Sequence, residues 1–581
     1  MGKHTDIRWR EWGEEAFKEA KEAEKPVLLD LSAVWCHWCH VMDETSYSDD
    51  EVIQLINESL VPIRVDIDQR PDIRERYNFG GYPTTAFLDG DGEVITGGTY
   101  IPPDQMKRTL IQVKEYYESS GGKARRRRVL KESEVEPSRG APKLDIMEEI
   151  VGHLLEQYDE LHGGFGNAPK FPQPEGIDLV LYKYKLSGNR YFRKLVEKTL
   201  AAMAGHGMYD DVEGGFFRYS VNRDWSEPHY EKMLEVNVGL LRNYLNAFVL
   251  LKEPWYRDVA LDVLRYLEGN LHNPKGGFFA SQDADEEYYG MSQKGRDSVQ
   301  APYIDKTLYA DLNGQAVSSY FRAGAVLGEE RFLKAGLTTL ALIEKRLLKE
   351  DGFLYHYRDG ESGVDGLLGD YVYLSKAFLE AYEHVGEMVY LDKCKAVIDR
   401  MLTSMRDERG LLTDRQTRES DIGLLKAPQR PLVENAHAAL VLLKLEELAE
   451  EQGYGDAARQ ILEGFSGQYS RYSIFAAPYA IAVYTYLKGP LRLVLVGRKD
   501  DGRTRQMNAD LVAAFEPRRV VQILQPGTAT FQDAKYPDEP APAVYACVGR
   551  QCSSPITDLE PMKAVEVFVG SVETQEGIGA A

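Results

Sequence analysis

The stretch Trp35-Cys36-His37-Trp38-Cys39-His40 decides the fold of the N-terminal region, because it places two cysteines three positions apart. The apolar segment Pro26–Ser32 before it predicts a buried strand, and a helix is predicted from Cys36 to about Ser46. Positions i and i+3 in the first turn of a helix meet the Cα separation of about 4.4–6.8 Å that a disulfide requires. The arrangement of strand, CxxC and helix therefore predicts thiol–disulfide chemistry.

The two cysteines are expected to have different roles. Cys36 would lie exposed at the N-terminus of the helix, where the helix dipole and free N–H groups stabilise a thiolate. His37 adds a cationic neighbour when it is protonated. Cys36 would attack a substrate disulfide, and Cys39 would resolve the mixed disulfide.

A metal site is the alternative interpretation of the same motif. Cys36 and Cys39 with His37 or His40 supply zinc-type ligands. No second cysteine pair lies nearby in sequence, and the strand–CxxC–helix context is the one that redox chemistry requires. We therefore predict a redox pair, with no metal and no cofactor.

The chain of 581 residues exceeds the size of one hydrophobic core, so several domains are expected. Residues 1–118 alternate helix and strand signals, which predicts an α/β domain. Residues 119–143 are rich in Gly, Arg, Lys, Ser and Pro and predict a linker, with Arg125–Arg128 as its one basic run.

Residues 144–488 carry almost no strand signal and predict about twelve amphipathic helices in pairs. The loops between them recur in composition: Gly163–Gly166, Gly214–Phe217, Gly276–Phe279, Gly352-Phe353 and Gly410–Leu412. Recurrence of a supersecondary unit indicates a repeat architecture. Six helical hairpins predict a closed (α/α)6 toroid, with an open solenoid as the alternative.

Residues 489–581 return to α/β signals and predict a small C-terminal domain. If Gly549-Arg550 forms a two-residue turn, Cys547 faces Cys552 across a non-hydrogen-bonded position, where Cα atoms lie about 4.5 Å apart. Two interpretations stand: a second redox-capable pair, serving as an internal substrate of Cys36, or two reduced thiols in a hairpin.

The segment from Leu29 to Cys39 resembles the active-site strand and loop of thioredoxin, and so does the segment from Val65 to Thr84. The resemblance implies that Pro83 is the cis-proline facing the cysteines. It also implies that Asp30 is the buried acid behind them, and a buried carboxylate of raised pKa suits a proton acceptor for Cys39. Trp35 belongs to the same predicted site. Where thioredoxin has Gly-Pro between its cysteines, this chain has His-Trp.

The whole chain resembles the family of thioredoxin-domain proteins that includes spermatogenesis-associated protein 20 and bacterial relatives of the YyaL type. Motifs in all three regions carry this resemblance: Trp9–Phe17, Cys36–Met42, Gly163–Pro172, Arg218–Val221 with Pro228–Leu234, and Ser281–Glu286. The resemblance implies a thioredoxin-like domain fused to a six-hairpin barrel like those of glycosidases and N-acylglucosamine 2-epimerases.

The loops of the predicted barrel gather polar residues among aromatic ones, as sugar-binding clefts do. The candidate binding residues at this mouth are Lys170, Arg218, His229, Glu231, Asp283, Asp285 and Asp370. Paired carboxylates would suit glycoside hydrolysis, and His229 with a partner would suit epimerisation. The alternative is that these charges hold the long loops together.

The formal net charge of -22 argues against nucleic acid or an anionic membrane as a partner. No apolar N-terminal segment or membrane span is visible, and five cysteines are sparse, so a cytoplasmic location is predicted. The leading hypothesis is a thiol–disulfide oxidoreductase acting on a protein or small-molecule disulfide. The alternatives are a carbohydrate-active enzyme that takes a sugar-like ligand in the barrel, with a regulatory thioredoxin-like domain, and a non-catalytic interaction scaffold.

Overall fold

The structure of the chain is a computed structural model. It describes residues 6–124, 140–349, 351–360, 362–449, 453–527, 530–531, 534–535 and 542–579. The basic run Arg125–Arg128, with the rest of the predicted linker between 125 and 139, lies outside the described residues. Among those that are described, no helix combines the length and apolar character needed to cross a membrane.

The N-terminal region folds around one mixed sheet. Its helices are α1 (Glu14–Glu22), α2 (His37–Glu44), α3 (Asp50–Ser59), α4 (Pro71–Tyr77) and α5 (Pro103–Ser119), and its strands are β1 (Val27–Ser32), β2 (Val61–Asp66), β3 (Thr84–Leu88) and β4 (Val94–Gly98). The strand order is β2-β1-β3-β4, with β1 parallel to β2 and antiparallel to β3. This is the predicted thioredoxin-like fold, and only α4 was not anticipated.

The central region consists of paired helices. They are α6 (Asp145–Glu156), α7 (Pro174–Ser187), α8 (Arg190–Gly205), α9 (Leu234–Leu251), α10 (Pro254–Tyr266), α11 (Glu286–Tyr289), α12 (Gln293–Arg296), α13 (Ala310–Leu327), α14 (Glu330–Leu347), α15 (Leu368–Val385), α16 (Met388–Met405), α17 (Leu432–Leu448), α18 (Tyr454–Phe465) and α19 (Ala477–Lys488). Helices α7, α9, α13, α15, α17 and α19 contact one another in that order, and α19 returns to α7. The ring therefore closes, and the predicted (α/α)6 toroid is confirmed.

Short strands lie in the loops at one end of the barrel. They are β5 (Tyr219–Ser220), β6 (Pro228–His229), β7 (Lys232–Met233), β8 (Ser281–Gln282), β9 (Ile304–Asp305), β10 (Tyr355–Asp359) and β11 (Ser362–Asp365). The recurring glycine loops share a local structure, since each closes with a single β-bridge: Tyr158 to Phe165, Tyr209 to Phe216, His272 to Phe278, Leu348 to Leu354 and Arg406 to Leu412. The compositional repeat is thus a structural repeat.

Asparagines near the start of inner helices fix several of these loops. Asn237 accepts a hydrogen bond from the backbone N–H of Phe216 and donates to its carbonyl. Asn313 and Asn435 do the same for the loops at Phe278 and Leu412. Because these amides are buried, the paired hydrogen bonds satisfy both sides and hold each loop against its helix.

The C-terminal region contains β12 (Leu491–Val496), α20 (Gly502–Ala513), β13 (Arg519–Leu524), β14 (Thr530–Phe531), β15 (Ala534–Lys535), β16 (Ala543–Val548), β17 (Gln551–Cys552) and α21 (Met562–Gly579). Its main sheet has the order β13-β12-β16-β17, with β12 parallel to β13 and antiparallel to β16. This order and these strand directions match those of the N-terminal sheet.

The two α/β domains cover opposite ends of the barrel. The N-terminal domain contacts the loops before the inner helices, where Arg76 binds Asp414 and His356 binds the carbonyl of Asp68. The C-terminal domain contacts the opposite ends of those helices, where Arg322 donates to the carbonyl of Ala513. An 18-residue inner helix such as α13 is about 27 Å long, so the barrel separates the two domains by roughly that distance.

Candidate functional site

The cysteine pair lies where β1 passes into α2. Cys36 is the N-cap of α2, and its sulfur accepts a hydrogen bond from the backbone N–H of Cys39 at 3.2 Å. The two sulfurs form a disulfide with a Cα–Cα distance of 5.2 Å. The predicted helix start and disulfide geometry are both present, and this is the arrangement that the redox interpretation requires.

The surroundings of Cys36 differ from the prediction. We expected an exposed sulfur at a helix N-terminus, but Cys36 is only 4% exposed and Cys39 only 2%. Both belong to an apolar cluster that also holds Leu425, while Met233 packs against that cluster. Leu425 and Met233 come from barrel loops, so the barrel buries the face of the domain that carries the cysteines.

Trp35 connects the motif to the barrel directly. The Arg218 guanidinium carbon lies 4.2 Å from the centroid of the Trp35 ring, within the range of a cation–π contact. The Trp35 indole N–H donates to the carboxylate of Asp68, which follows β2. The Tyr82 ring packs against Trp35 in a T-shaped contact, with ring centroids 6.4 Å apart. Trp35 is thus fixed between its own domain and Arg218, one of the predicted mouth residues.

Pro83 precedes β3, and the Tyr82–Pro83 peptide bond is cis. This confirms the isomer that the thioredoxin resemblance implies for Pro83. Pro83 is buried, and Tyr82 is partly buried against the cluster that contains both cysteines.

Asp30 lies on β1 and is 1% exposed. Burial raises the pKa of its carboxyl group, and the positive charge of Arg64 opposes that rise. Arg64 donates to Asp30 at 2.7 Å, and the Tyr47 hydroxyl donates at 3.3 Å. The raised pKa matches the prediction, although Asp30 hydrogen-bonds to neither cysteine in the disulfide form.

The histidines of the motif face different surroundings. His37 is exposed and forms a T-shaped contact with Trp38, with ring centroids 5.8 Å apart. The His40 Nδ1 atom lies 3.6 Å from the carboxylate of Asp283 in the barrel. Burial raises the pKa of Asp283 to about 6, and His40 opposes the rise. His40, which was named only as a possible metal ligand, is therefore the residue of the pair that reaches the barrel.

Of the predicted mouth residues, four gather around the domain interface or in the loop next to it. Arg218 covers Trp35, and Asp283 faces His40. His229 stacks on Tyr219 at 4.4 Å, and its Nδ1 atom lies 3.4 Å from Glu231. Glu231 is 2% exposed and interacts with Asp283 electrostatically.

The other three mouth residues have different partners. Lys170 is fully buried and bound to Asp159 at 2.7 Å, so it holds its loop together. Asp285 caps α11 by accepting from the backbone N–H of Tyr288. Asp370 lies at the start of α15 and contacts His356 at 2.8 Å. For Lys170 and Asp285, the alternative of loop stabilisation describes the observed contacts.

Sequence reasoning missed Asp68, His356 and Asp311. His356 donates from Nε2 to the carbonyl of Asp68 at 2.7 Å, across 288 positions of sequence. His356 stands alone in the short strand β10, without a motif around it. The acidic pattern Val65-Asp-Ile-Asp68 after a buried strand was visible, and it was the one signal available.

The second cysteine pair has the predicted register. Cys547 pairs with Cys552, and Val548 pairs with Gln551 around the Gly549-Arg550 turn. The two sulfurs form a disulfide with a Cα–Cα distance of 4.1 Å. Cys547 is 2% exposed, whereas Cys552 is exposed. The pair lies in the domain at the far end of the barrel from Cys36.

The N-terminal region matches the family model described as "Thioredox_DsbH: Protein of unknown function, DUF255" over residues 1–134. The chain resembles spermatogenesis-associated protein 20 along nearly its whole length. It is 24% identical to the human protein of that name, over 96% of this chain and 89% of the relative. The resemblance predicted from the motifs is thereby confirmed.

Two further comparisons cover parts of the chain. A thiol:disulfide interchange protein DsbD of Campylobacter jejuni is 27% identical over 100 residues, which are 17% of this chain and 18% of that protein. A cellobiose 2-epimerase from Spirochaeta thermophila is 16% identical, with a TM-score of 0.47, over 59% of this chain and 98% of that one.

Proposed function

We propose that this protein is a thiol–disulfide oxidoreductase whose substrate reaches Cys36 between the thioredoxin-like domain and the barrel. The observation that carries the proposal is the Cys36–Cys39 disulfide at the N-cap of α2, which follows strand β1. The cis peptide bond before Pro83 lies in the same domain. The reaction is assigned to the cytoplasm, because sparse cysteines there serve chemistry more often than structure.

The positions of Cys36 and Cys39 define the order of the two steps of the reaction. In the dithiol form, the Cys36 thiolate attacks one sulfur of a disulfide RSSR, and the first thiol RSH leaves with a proton. The Cys39 thiolate then attacks the Cys36 sulfur and releases the second RSH. The dithiol is oxidised to the Cys36–Cys39 disulfide, while RSSR is reduced to two thiols. A small dithiol such as dithiothreitol restores the starting state.

Burial of Cys36 favours a small disulfide over a folded protein as the substrate. A cysteine residue that is only 4% exposed leaves little surface on which a folded protein can dock. The cation–π contact of Arg218 with Trp35 and the pairing of His40 with Asp283 place polar groups beside the cysteine motif. These groups suit a substrate that combines a disulfide with polar substituents.

The test uses the full chain, reduced with dithiothreitol and freed of excess reductant. Thiol release from 2-hydroxyethyl disulfide is followed, and alkylation with mass spectrometry reports each cysteine. We expect two thiols per chain from the Cys36–Cys39 pair, which alkylation distinguishes from any thiols released through Cys547 and Cys552. Cys36→Ser should abolish release by this pair, and Cys39→Ser should stop after one thiol with the mixed disulfide on Cys36. Insulin should react at least tenfold more slowly than the small disulfide.

Undiminished thiol release by Cys36→Ser would disprove the assignment of the nucleophile. The double substitution of Cys547 and Cys552 by serine is the matched control. It removes the other disulfide and should leave the reaction at Cys36 and Cys39 unchanged.

A carbohydrate-active barrel is the second candidate, favoured by one observation. A carboxyl group with a pKa of about 6, as at Asp283, suits a general acid near neutral pH. A sugar-binding screen on the full chain, with Asp283→Asn and Glu231→Gln as controls, tests it. If neither thiol release nor sugar binding is found, the interaction scaffold is the remaining hypothesis.

A further inference from the structure

Three side chains meet at the end of the barrel that the N-terminal domain covers. Asp311 lies at the start of α13, His356 on β10 and Asp370 at the start of α15. One ligand-type atom from each lies within 4.8 Å of the others. The His356 Nδ1 atom lies 2.8 Å from Asp370 Oδ1 and 3.6 Å from Asp311 Oδ1.

The orientation of His356 is set from the opposite side of its ring. Nε2 lies 2.7 Å from the carbonyl oxygen of Asp68, and a carbonyl only accepts, so Nε2 carries a hydrogen. Nδ1 is left facing the two carboxylates. Histidines that bind metals are commonly held in this way, with one nitrogen donating to a backbone carbonyl and the other directed at the ion.

The buried carboxylate of Asp370 is a second feature that points to a bound ligand. The Asp370 side chain is 0% exposed, and Oδ1 accepts from the backbone N–H of Asp311 and contacts His356. Oδ2 is buried without a hydrogen-bond partner among the described residues. A buried carboxylate oxygen without a partner is costly, so such a group in a folded protein calls for an ion or another ligand.

A simple ion triad accounts for only part of this arrangement. A doubly protonated His356 donates to Asp68 and to Asp370 Oδ1, but Asp370 Oδ2 still lacks a partner. Arg74 is the nearby cation that acts on Asp311 from the N-terminal domain. Its hydrogen bond goes to Glu75.

We propose that Asp311, His356 and Asp370 bind one divalent first-row metal ion. One imidazole nitrogen with two carboxylate oxygens suits Mn²⁺, Fe²⁺ or Zn²⁺ rather than a soft ion. The Asp311 side chain is 25% exposed, so one side of the ion would face water inside the barrel mouth. The site is independent of the redox assignment, because no cysteine takes part in it.

The test uses the full chain with both disulfides intact, so that thiolates do not compete for metal. After treatment with EDTA and its removal, Mn²⁺ is titrated in, and free Mn²⁺ is measured by its paramagnetic resonance signal. We expect one Mn²⁺ per chain. Asp370→Asn and Asp311→Asn should each weaken binding by about tenfold or more, because each removes an anionic ligand.

Asp283→Asn is the matched control, since it removes a carboxylate of the barrel mouth outside the three ligands. It should bind Mn²⁺ like the unchanged protein. Asp311→Asn decides the matter if Asp370→Asn fails to fold, because its amide oxygen can still accept from the backbone N–H of Leu312. Absence of both Mn²⁺ and Zn²⁺ binding, or full binding by Asp311→Asn, would overturn the metal site.

Discussion

Asp30 shows how burial and an ion pair compete at one residue. Burial raises its pKa, while Arg64 pulls it down and also binds Asp43. A carboxylate of raised pKa lies closer to the pKa of a thiol than an ordinary aspartate does, which makes it a better proton acceptor. Arg64 stabilises the charged form of Asp30 in the core, although Asp43 shares this arginine.

We predict that Asp30→Asn slows the second step of thiol release at neutral pH by about tenfold, because Cys39 loses its proton acceptor. The first thiol should leave at nearly the normal rate. The defect should shrink as the pH rises and Cys39 ionises unaided. Stopped-flow measurement of both thiols over a pH series checks this.

Asp43→Asn provides the control for Asp30. It removes the other carboxylate bound to Arg64 and leaves Asp30 in place. An equal slowing of the second step in both variants would assign Asp30 to the ion pair alone.

The residues that could be predicted are those whose signal is local. Cys36, Cys39 and Pro83 stand in motifs a few positions long, and a helix N-cap depends on its neighbours. His356 and Asp68 were missed because they are 288 positions apart and meet through a backbone carbonyl, which any residue type supplies. The burial of Cys36 was missed for the same reason, since its cover comes from another domain.

At the scale of elements, α4 attaches the N-terminal domain to the barrel. Arg76 on this helix donates to both oxygens of Asp414, at 2.6 and 3.1 Å, and to the carbonyls of Leu424 and Ala427. The thioredoxin-like resemblance covered this segment without predicting a helix. Seven residues starting at a proline carry a weak periodic signal, and tertiary contacts stabilise the helix instead.

We predict that Arg76→Gln lowers the free energy of unfolding by about 2–4 kcal/mol, because it leaves Asp414 partly buried and unpaired. Urea unfolding followed by tryptophan fluorescence measures this. Arg74→Gln, on the same helix, loses a hydrogen bond to the exposed Glu75 and acts on Asp311 only electrostatically, so it should cost less than Arg76→Gln. Similar losses in the two variants would show that Arg76 does not hold the interface.

At the scale of the whole molecule, the barrel separates the two disulfides. Inner helices of 17 or 18 residues hold the domains about 25–27 Å apart. Sulfur exchange requires contact, so the Cys547–Cys552 pair could serve as an internal substrate of Cys36 only if the domains moved from these positions. Closure of the ring was predictable from the recurring loops, but which end each domain covers was not, since no periodic pattern encodes docking.

We predict that any electron exchange between the two cysteine pairs occurs between molecules. A chain whose Cys36 pair alone has been reduced should redistribute its thiols at a rate that falls tenfold on tenfold dilution. Site-resolved alkylation over time measures this. A rate that does not depend on concentration would mean that the domains leave the barrel ends and meet.

The two α/β domains share a sheet topology but differ in the residues at the start of the helix that follows the first strand. In the C-terminal domain, Asp501 caps α20 and accepts from the backbone N–H of Thr504 at 3.0 Å, as Cys36 accepts from that of Cys39. Pro542 directly precedes β16, as Pro83 precedes β3. At the positions that correspond to Cys36 and Cys39, Asp501 and Thr504 carry oxygen where the cysteines carry sulfur, and the helix start is preserved. On this fold, thiol–disulfide exchange depends on the two sulfur atoms at the start of the helix. Without them, the same fold can still cover one end of the barrel.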